Sequence, residues 1–476
     1  MTGRPLSALV AATALVAVVR FTLLDDFLAY TSDMGSYLMT QNWVTGDDPT
    51  GHKLFHWRPP LIGILLVPFT AAFGDLPGSK LLAILSSAAV VPAGYWLARE
   101  LGIRHWIALI AALVMGMGPT FGQETAGGYL VVLAAAFVLA IMAAGIRITE
   151  SRPGAAFAFV VLSWVLAGLN QTAVPLTVFA VAAMTVPRLG SMGQQARREW
   201  AAAVTVACVA CVVWIPFYAV HGGLFLIPDA PLLFATPRFE ISFLVAAVAV
   251  AAAFAYTRAP DGQRLVWPLV GLWFMSSLSS SEIVLNNVLH RAEILIWPLA
   301  IAQVFAAHDS RWNDLGREYR VLIAASFLLM AASGWAVWQA RFSTVGNALD
   351  MVTPDNLAAV EWIGENTPAD AHVYAHPMGL GYYVGALSPR MWTGSWGGLP
   401  PAALQGPYHA ALCDFGWERC APGQLVRLGI THVLIDKSSF QTHGDMHGYG
   451  WGALDDSDSL RLLRAFSSDV RLYQTR

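Results

Sequence analysis

Side chains able to do acid–base chemistry are concentrated in the segment that follows the first apolar run of the chain. Residues 25–60 hold five aspartates, two histidines, one lysine and one arginine, and apolar stretches border the segment on both sides. Charged groups beside a membrane are costly to bury and often mark functional sites. Asp33 lies in a mostly apolar part of the segment, so it is the candidate general base. Asp47 and Asp48 occupy a turn-like GDDP sequence, which is typical of a solvated loop.

A helix is predicted around Asp33. Asp33 and Tyr37 are four residues apart, and this spacing places two side chains on the same face of a helix. We expect residues 33–46, with the sequence DMGSYLMTQNWVTG, to form an amphipathic helix on the membrane surface. Tyr37 is therefore a candidate substrate-binding residue beside the candidate base.

The sequence HWRPP at 56–60 provides a candidate anion-binding group. Pro59 and Pro60 favour an extended chain before the next apolar run and keep Arg58 at the interface. A guanidinium there either binds a phosphate through two hydrogen bonds or extends toward lipid headgroups. His56 is a candidate substrate-binding residue in the same segment.

Glu124 lies in a short loop between two later apolar runs. With Asp33 it could share a metal ion or divide the roles of base and positioning group. The alternative is a loop glutamate whose charge is satisfied locally.

Another charged cluster, His290, Arg291 and Glu293, begins the apolar run 291–307. Glu293 suits the positive end of a helix, and Arg291 could neutralise an anionic leaving group. His290 is a candidate substrate-binding residue. His52, His56 and His290 show no spacing typical of metal ligands, so a divalent metal is left open.

Composition indicates a polytopic membrane protein. Of the 476 residues, 56% are hydrophobic and 12% are charged, whereas soluble chains carry about 25% charged residues. The net charge of −3 gives no indication of a nucleic-acid partner. No phosphate-binding loop or dinucleotide fingerprint is present, so no nucleotide cofactor is expected.

About eleven spans are predicted, since a spanning helix needs about 20 mostly apolar residues. They are 5–24, 79–98, 106–119, 126–146, 154–170, 172–187, 200–220, 239–257, 265–279, 291–307 and 321–340. The run 59–74 is taken as non-spanning, because arginines then collect on one side of the membrane, as cytoplasmic loops require. This places the N-terminus in the cytoplasm and the C-terminal region outside. Arg20, near the outer end of the first span, is an exception to the charge pattern.

Two domains are expected: a transmembrane domain at 1–340, with a first outer loop at 25–78, and an α/β domain at 341–476. In the second, residues 355–366 predict a helix, and 372–375, 431–437 and 470–475 predict strands of a partly parallel sheet. Cys413 and Cys420 lie in this region, and their spacing alone leaves a disulfide open.

The first outer loop resembles that of the GT-C superfamily, in particular the bacterial branch related to protein O-mannosyltransferases and aminoarabinose transferases. The family pattern D-x-x-x-Y, a G-D-W-like turn and K-P-P-L corresponds to DMGSY, TGDDP and RPPL in this chain. Glu124 lies where the family often has a second acidic residue. Met34 replaces the usual acidic residue after the aspartate, Arg58 replaces the lysine, and the W-W-D-Y-G signature of oligosaccharyltransferases is absent.

The resemblance implies a polytopic GT-C-like enzyme of the bacterial plasma membrane. It would transfer a sugar from a polyprenyl-phosphate donor to a hydroxyl of a glycan, lipid or protein acceptor on the outer face. Asp33 would act as the base, Arg58 or Arg291 would stabilise the departing phosphate, and the anomeric configuration would invert. The alternatives are a transporter or flippase for a lipid-linked glycan, and an assembly factor whose site has degenerated, as Met34 would suggest.

Overall fold

The computed structural model describes residues 3–24, 31–46, 60–118, 129–170, 173–215, 265–278, 292–311, 352–375, 380–388, 390–393, 425–426, 429–436 and 450–476. The chain divides into two compact units. Unit 1 contains Met1–Leu23 and Ala83–Phe342, and unit 2 contains Leu24–Leu82 and Ser343–Arg476. The boundary at 342/343 lies close to the composition boundary at 340/341, and unit 2 also includes the whole of the first outer loop, 25–78.

The helices of the first half are α1 (Gly3–Leu24), α2 (Thr31–Thr45), α3 (Leu61–Phe73), α4 (Asp75–Ala88), α5 (Val90–Glu100), α6 (His105–Gly116), α7 (Tyr129–Thr149), α8 (Ala155–Leu169), α9 (Ala173–Thr185) and α10 (Gln194–Cys211). The described helices that follow are α11 (Val266–Leu278), α12 (Ala292–Arg311), α13 (Pro354–Asn366), α14 (Tyr382–Leu387) and α15 (Trp451–Asp455). The strands are β1 (His372–Ala375), β2 (Met391–Thr393), β3 (His432–Asp436), β4 (Leu460–Ala465) and β5 (Val470–Thr475).

Unit 1 has an apolar core centred on α7. This helix carries alanine, valine, leucine and isoleucine around its whole circumference and packs against α5, α8 and α9. A helix that is apolar on all sides is buried in a large core or spans a membrane. Among the described helices, three stretches are long and apolar enough to cross a membrane. They are Pro5–Thr22 in α1, Asp75–Glu100, which comprises α4 and α5, and Leu130–Thr149 in α7.

The spans predicted around 239–257 and 321–340 lie outside the described residues, so the count of eleven stays a prediction. The helix α3 has 13 residues, a length of about 20 Å. That is shorter than the apolar thickness of a bilayer, about 30 Å. The predicted spans at α6 and α9 are no longer than this, with 12 and 13 residues, so helix length does not test the interpretation of 59–74 as non-spanning, which stays a prediction.

In unit 2 a five-stranded sheet has the order β2-β1-β3-β5-β4. The pairs β1–β2 and β1–β3 are parallel, and β3–β5 and β4–β5 are antiparallel. The helix and three strands predicted from sequence are present at 354–366, 372–375, 432–436 and 470–475. Cys413 and Cys420 lie outside the described residues.

Local chemistry accounts for the position of α13. Thr353 and Asn356 form a capping box, in which the Thr353 hydroxyl accepts a hydrogen bond from the Asn356 backbone N–H over 3.2 Å. Pro354 occupies the first turn, where its missing N–H costs nothing. The buried Asn356 side chain also donates to Asp436 Oδ2 over 2.8 Å. This last bond ties the start of α13 to the end of β3.

Candidate active site

The candidate base lies at the start of α2. Asp33 is the third residue of this helix, and Tyr37 follows four residues later. The two residues therefore share one helical face, as their spacing predicted.

The helix α2 is not an amphipathic surface helix, so that expectation was wrong. Met34, Tyr37 and Leu38 are 1% exposed or less. The polar residues Ser36, Thr40 and Gln41 are buried as well. Burial of both apolar and polar positions means that protein, rather than water, covers the helix on more than one side.

One side of α2 is covered by α3 at very close range. A Cβ atom added at Gly63 would lie 2.7 Å from the carbonyl oxygen of Thr40 and 3.0 Å from the backbone nitrogen of Gln41. The first distance is shorter than real Cβ contacts and the second is tight, and backbone atoms cannot rotate away. Gly63 therefore allows α3 to contact the backbone of α2 directly.

The helix α14 also packs against α2. Asn42 Nδ2 donates a hydrogen bond to the carbonyl oxygen of Ala386 over 2.8 Å. Ala386 lies near the C-terminus of α14, where helix carbonyls lack partners within the helix. The candidate active-site helix is thus fixed by a bond from the first outer loop to the C-terminal region of the same unit.

In unit 1 the first span carries a buried arginine. Arg20 is 2% exposed, and its Nη2 donates to the carbonyl oxygens of Gly116 and Gly118 over 3.1 and 3.0 Å. These carbonyls lie at the C-terminal end of α6. In the sequence, Arg20 stands out only as an exception to the charge pattern. Its isolation from other charges within an apolar span was the signal that could have marked it.

The other predicted site residues are Arg58, His56, Glu124, His290 and Arg291, and all five lie outside the described residues. Their assignment stays a prediction. Among the residues that the structure describes, no group of three or more His, Cys, Asp or Glu side chains is arranged to hold a metal ion.

The C-terminal sheet carries a polar cluster around the buried Tyr473. The Tyr473 hydroxyl donates to Asp455 Oδ1 and Arg471 Nη1 donates to Asp455 Oδ2, each over 2.8 Å. Burial and the bond to Asp455 raise the pKa of Tyr473. The Arg471 guanidinium also lies 4.3 Å from the centroid of the Trp451 ring. These contacts attach α15 to β5.

The fold is similar to those of several solved structures. The structure is similar to arabinofuranosyltransferase AftD from Mycobacteria, with a TM-score of 0.61, 14% identity and coverage of 98% of this chain but 40% of AftD. It is similar to ArnT from Cupriavidus metallidurans bound to undecaprenyl phosphate, with a TM-score of 0.60, 15% identity and coverage of 98% of this chain and 97% of ArnT. It is also similar to the oligosaccharyltransferase AglB from Archaeoglobus fulgidus, with a TM-score of 0.54, 12% identity and coverage of 91% of this chain and 69% of AglB.

No protein-family model and no curated protein sequence matches the chain. The apolar helices of unit 1 and the mixed sheet of unit 2 belong to a polytopic helical protein of the membrane. Its fold is similar to those of AftD, ArnT and AglB, in agreement with the fold that the resemblance of the first outer loop implied.

Proposed function

We propose that this chain is a membrane glycosyltransferase that transfers a sugar from a polyprenyl-phosphate donor to an acceptor hydroxyl. The supporting observation is the position of Asp33 in the first turn of a buried helix, directly after the first span of a GT-C fold. ArnT, which shares this fold over 97% of its length, was solved with undecaprenyl phosphate. A donor whose sugar lies outside and whose tail lies in lipid suits an enzyme embedded in the membrane.

The reaction is a direct displacement at the anomeric carbon. The acceptor oxygen forms the new bond to this carbon, and Asp33 takes the proton of the acceptor hydroxyl. The bond between the anomeric carbon and the phosphate oxygen breaks, and polyprenyl phosphate leaves with the electron pair. A single displacement inverts the anomeric configuration. The acceptor is a glycan, a lipid or a protein on the outer face of the bacterial plasma membrane.

Arg58 and Arg291 are proposed to stabilise the negative charge that develops on the departing phosphate. Tyr37, His56 and His290 are proposed to contact the substrates, and Glu124 is proposed as a second catalytic carboxylate. Lysine keeps the charge of arginine but loses its planar pair of donors. At a true phosphate site, Arg→Lys should therefore raise the donor KM moderately, and Arg→Ala should raise it strongly.

The proposed function is tested with the purified full chain in lipid nanodiscs. A panel of radiolabelled polyprenyl-phosphate hexoses and pentoses is incubated with outer-membrane and cell-wall glycan fractions, and the release of polyprenyl phosphate is measured. We expect release with at least one donor, together with an inverted product linkage by NMR. A flippase would instead move a donor between the leaflets of a proteoliposome without breaking the glycosyl bond, and that outcome would refute the proposal.

A further inference from the structure

Unit 1 contains a buried cation that has no matching anion among the described residues. Arg20 is 2% exposed. The hydrogen bonds that it makes within the described part of the chain are those from Nη2 to the carbonyl oxygens of Gly116 and Gly118. Its Nε is buried without a partner, and no described carboxylate lies within ion-pair distance of it.

The two carbonyls offset only part of this charge. The C-terminal end of a helix carries roughly half a negative elementary charge, spread over its last carbonyl groups. A guanidinium carries a full positive charge and five N–H donors. Removal of a full charge from water is expensive unless it is paired with an opposite charge. The position therefore favours binding of an additional anion.

Trp297 presents a second unused donor beside the same backbone. It is 7% exposed, and its indole Nε1 is buried without a hydrogen-bond partner among the described residues. A Cβ atom added at Gly118 would collide with this nitrogen, whereas the Gly118 carbonyl oxygen accepts from Arg20. Arg20 and Trp297 thus both lie against Gly118. Because guanidinium and indole groups donate hydrogen bonds and accept none, the ligand must supply acceptor oxygens.

We propose that Arg20 and Trp297 bind the phosphate group of the lipid-linked sugar donor, an inference that rests on the proposed function. Arg20 lies near the predicted outer end of the first span, at the depth where a polyprenyl phosphate presents its phosphate. The same helix exposes an apolar side through Leu15, Val18 and Phe21, and this side suits contact with a prenyl tail. A ligand-binding role would explain why Arg20 lies near the outer end of the first span, against the charge pattern.

The test compares ligand binding in the wild-type chain and in three variants, all in nanodiscs of neutral lipid. Arg20→Met removes the charge, and Trp297→Phe removes the indole N–H but keeps an aromatic ring. Trp214→Phe is the matched control, since Trp214 is similarly buried but its Nε1 donates to the Trp164 carbonyl oxygen over 3.0 Å. The probes are a short-chain polyprenyl phosphate, the same polyprenol without phosphate, inorganic phosphate, and phosphatidylglycerol added to the disc.

We expect the polyprenyl phosphate to bind the wild type more tightly than each of the other probes does. Loss of a charge-assisted bond should raise its Kd by at least about tenfold in Arg20→Met, and loss of a neutral bond should raise it about fivefold in Trp297→Phe. Trp214→Phe should bind as the wild type does. Without ligand, Trp214→Phe should lower the melting temperature more than Trp297→Phe does, because both lose ring volume but only Trp214 loses a formed hydrogen bond.

Equal affinity for polyprenyl phosphate in the wild type and in Trp297→Phe and Arg20→Met would overturn this inference and leave the proposed function intact. If Arg20→Met does not fold, the same comparison of polyprenyl phosphate affinity is made with Arg20→Lys and Trp297→Phe. Wild-type affinity in both would overturn the inference. Equally tight binding of phosphatidylglycerol or inorganic phosphate would show that the site does not select a polyprenyl phosphate. Absence of polyprenyl phosphate binding to the wild type would refute both this inference and the proposed donor class.

Discussion

Asn42 Nδ2 donates a hydrogen bond to the carbonyl oxygen of Ala386 over 2.8 Å, and the two residues are 344 positions apart in sequence. Asn42 lies in α2, the helix that carries Asp33, and Ala386 lies in α14 of the C-terminal region. Within unit 2, the C-terminal region therefore holds the helix that carries the candidate base. We expect the C-terminal region to position Asp33 through this contact.

Loss of this bond should loosen α2. Asn42→Ala should lower the free energy of unfolding by about 1 kcal/mol, the usual net value of one hydrogen bond. It should lower kcat by a larger factor than stability alone explains, because a small displacement of a catalytic group is costly. Thermal unfolding and steady-state kinetics on the purified chain measure the two effects. The control is Asn366→Ala, which removes an exposed hydrogen bond to the Trp362 carbonyl oxygen. Equal kcat values in the two variants would argue that the Asn42–Ala386 bond does not position Asp33.

Gly63→Ala should separate α3 from α2. The new methyl group would lie 2.7 Å from the Thr40 carbonyl oxygen, and relief of this overlap requires a shift of one helix. Overpacking of this kind costs about 1–3 kcal/mol, so the melting temperature and the activity should both fall. Gly452→Ala is the control in the same unit, since the structure has open space at that Cβ position. It should be neutral or slightly stabilising, and a neutral Gly63→Ala would contradict the close packing of α2 and α3.

The parts of the fold that sequence predicted are those set by local patterns. His372–Ala375 and His432–Asp436 are short apolar runs and form fully buried strands. The strand β4 was missed, because Leu460 is its single buried residue and the sequence LRLLRA consists of residues that favour helices. Its strand conformation is fixed by pairing with β5 at the edge of the sheet.

The burial of α2 depends on contacts that are remote in sequence. The pattern of Met34–Gln41 is compatible with a helix at an interface, and the prediction of a helix was correct. Nothing within the segment indicates that α14, more than 300 residues later, packs against it. Arg20 is a similar case, since its acceptors at Gly116 and Gly118 are 96 and 98 positions away.

Acid should destabilise the sheet of unit 2 through His432. This residue is 5% exposed, and burial lowers its pKa below the ordinary value of 6.5. Below about pH 6.5 the unfolded chain binds a proton that the folded chain does not, so the free energy of unfolding falls as the pH falls. The fall ends once the pH is below the folded-state pKa. Between about pH 5 and 8, the melting temperature of the wild type should fall as the pH falls, and it should fall less in His432→Gln. The same pH dependence in both proteins would mean that other groups cause it.

The proposed topology is tested by cysteine labelling of intact cells, in a background where Cys208, Cys211, Cys413 and Cys420 are replaced by serine. Gly190 and Gly452 both have open space for a side chain, so cysteine should fit at either position. An impermeant maleimide added outside should label Gly452→Cys and leave Gly190→Cys unlabelled until the membrane is permeabilised. Outside labelling of Gly190→Cys would reverse the assignment of the spans around it.

The central claim is that Asp33 is the general base of a sugar transfer from a polyprenyl-phosphate donor. The most direct measurement is kcat of the purified Asp33→Asn variant with the donor that the wild type uses, compared with the exposed control Asp458→Asn. Asparagine keeps the size of aspartate and removes its basic oxygen, so kcat should fall by at least about 10²-fold, while donor affinity and melting temperature stay near the wild-type values. Asp458→Asn should retain full activity. Transfer by Asp33→Asn at the wild-type rate would contradict the account.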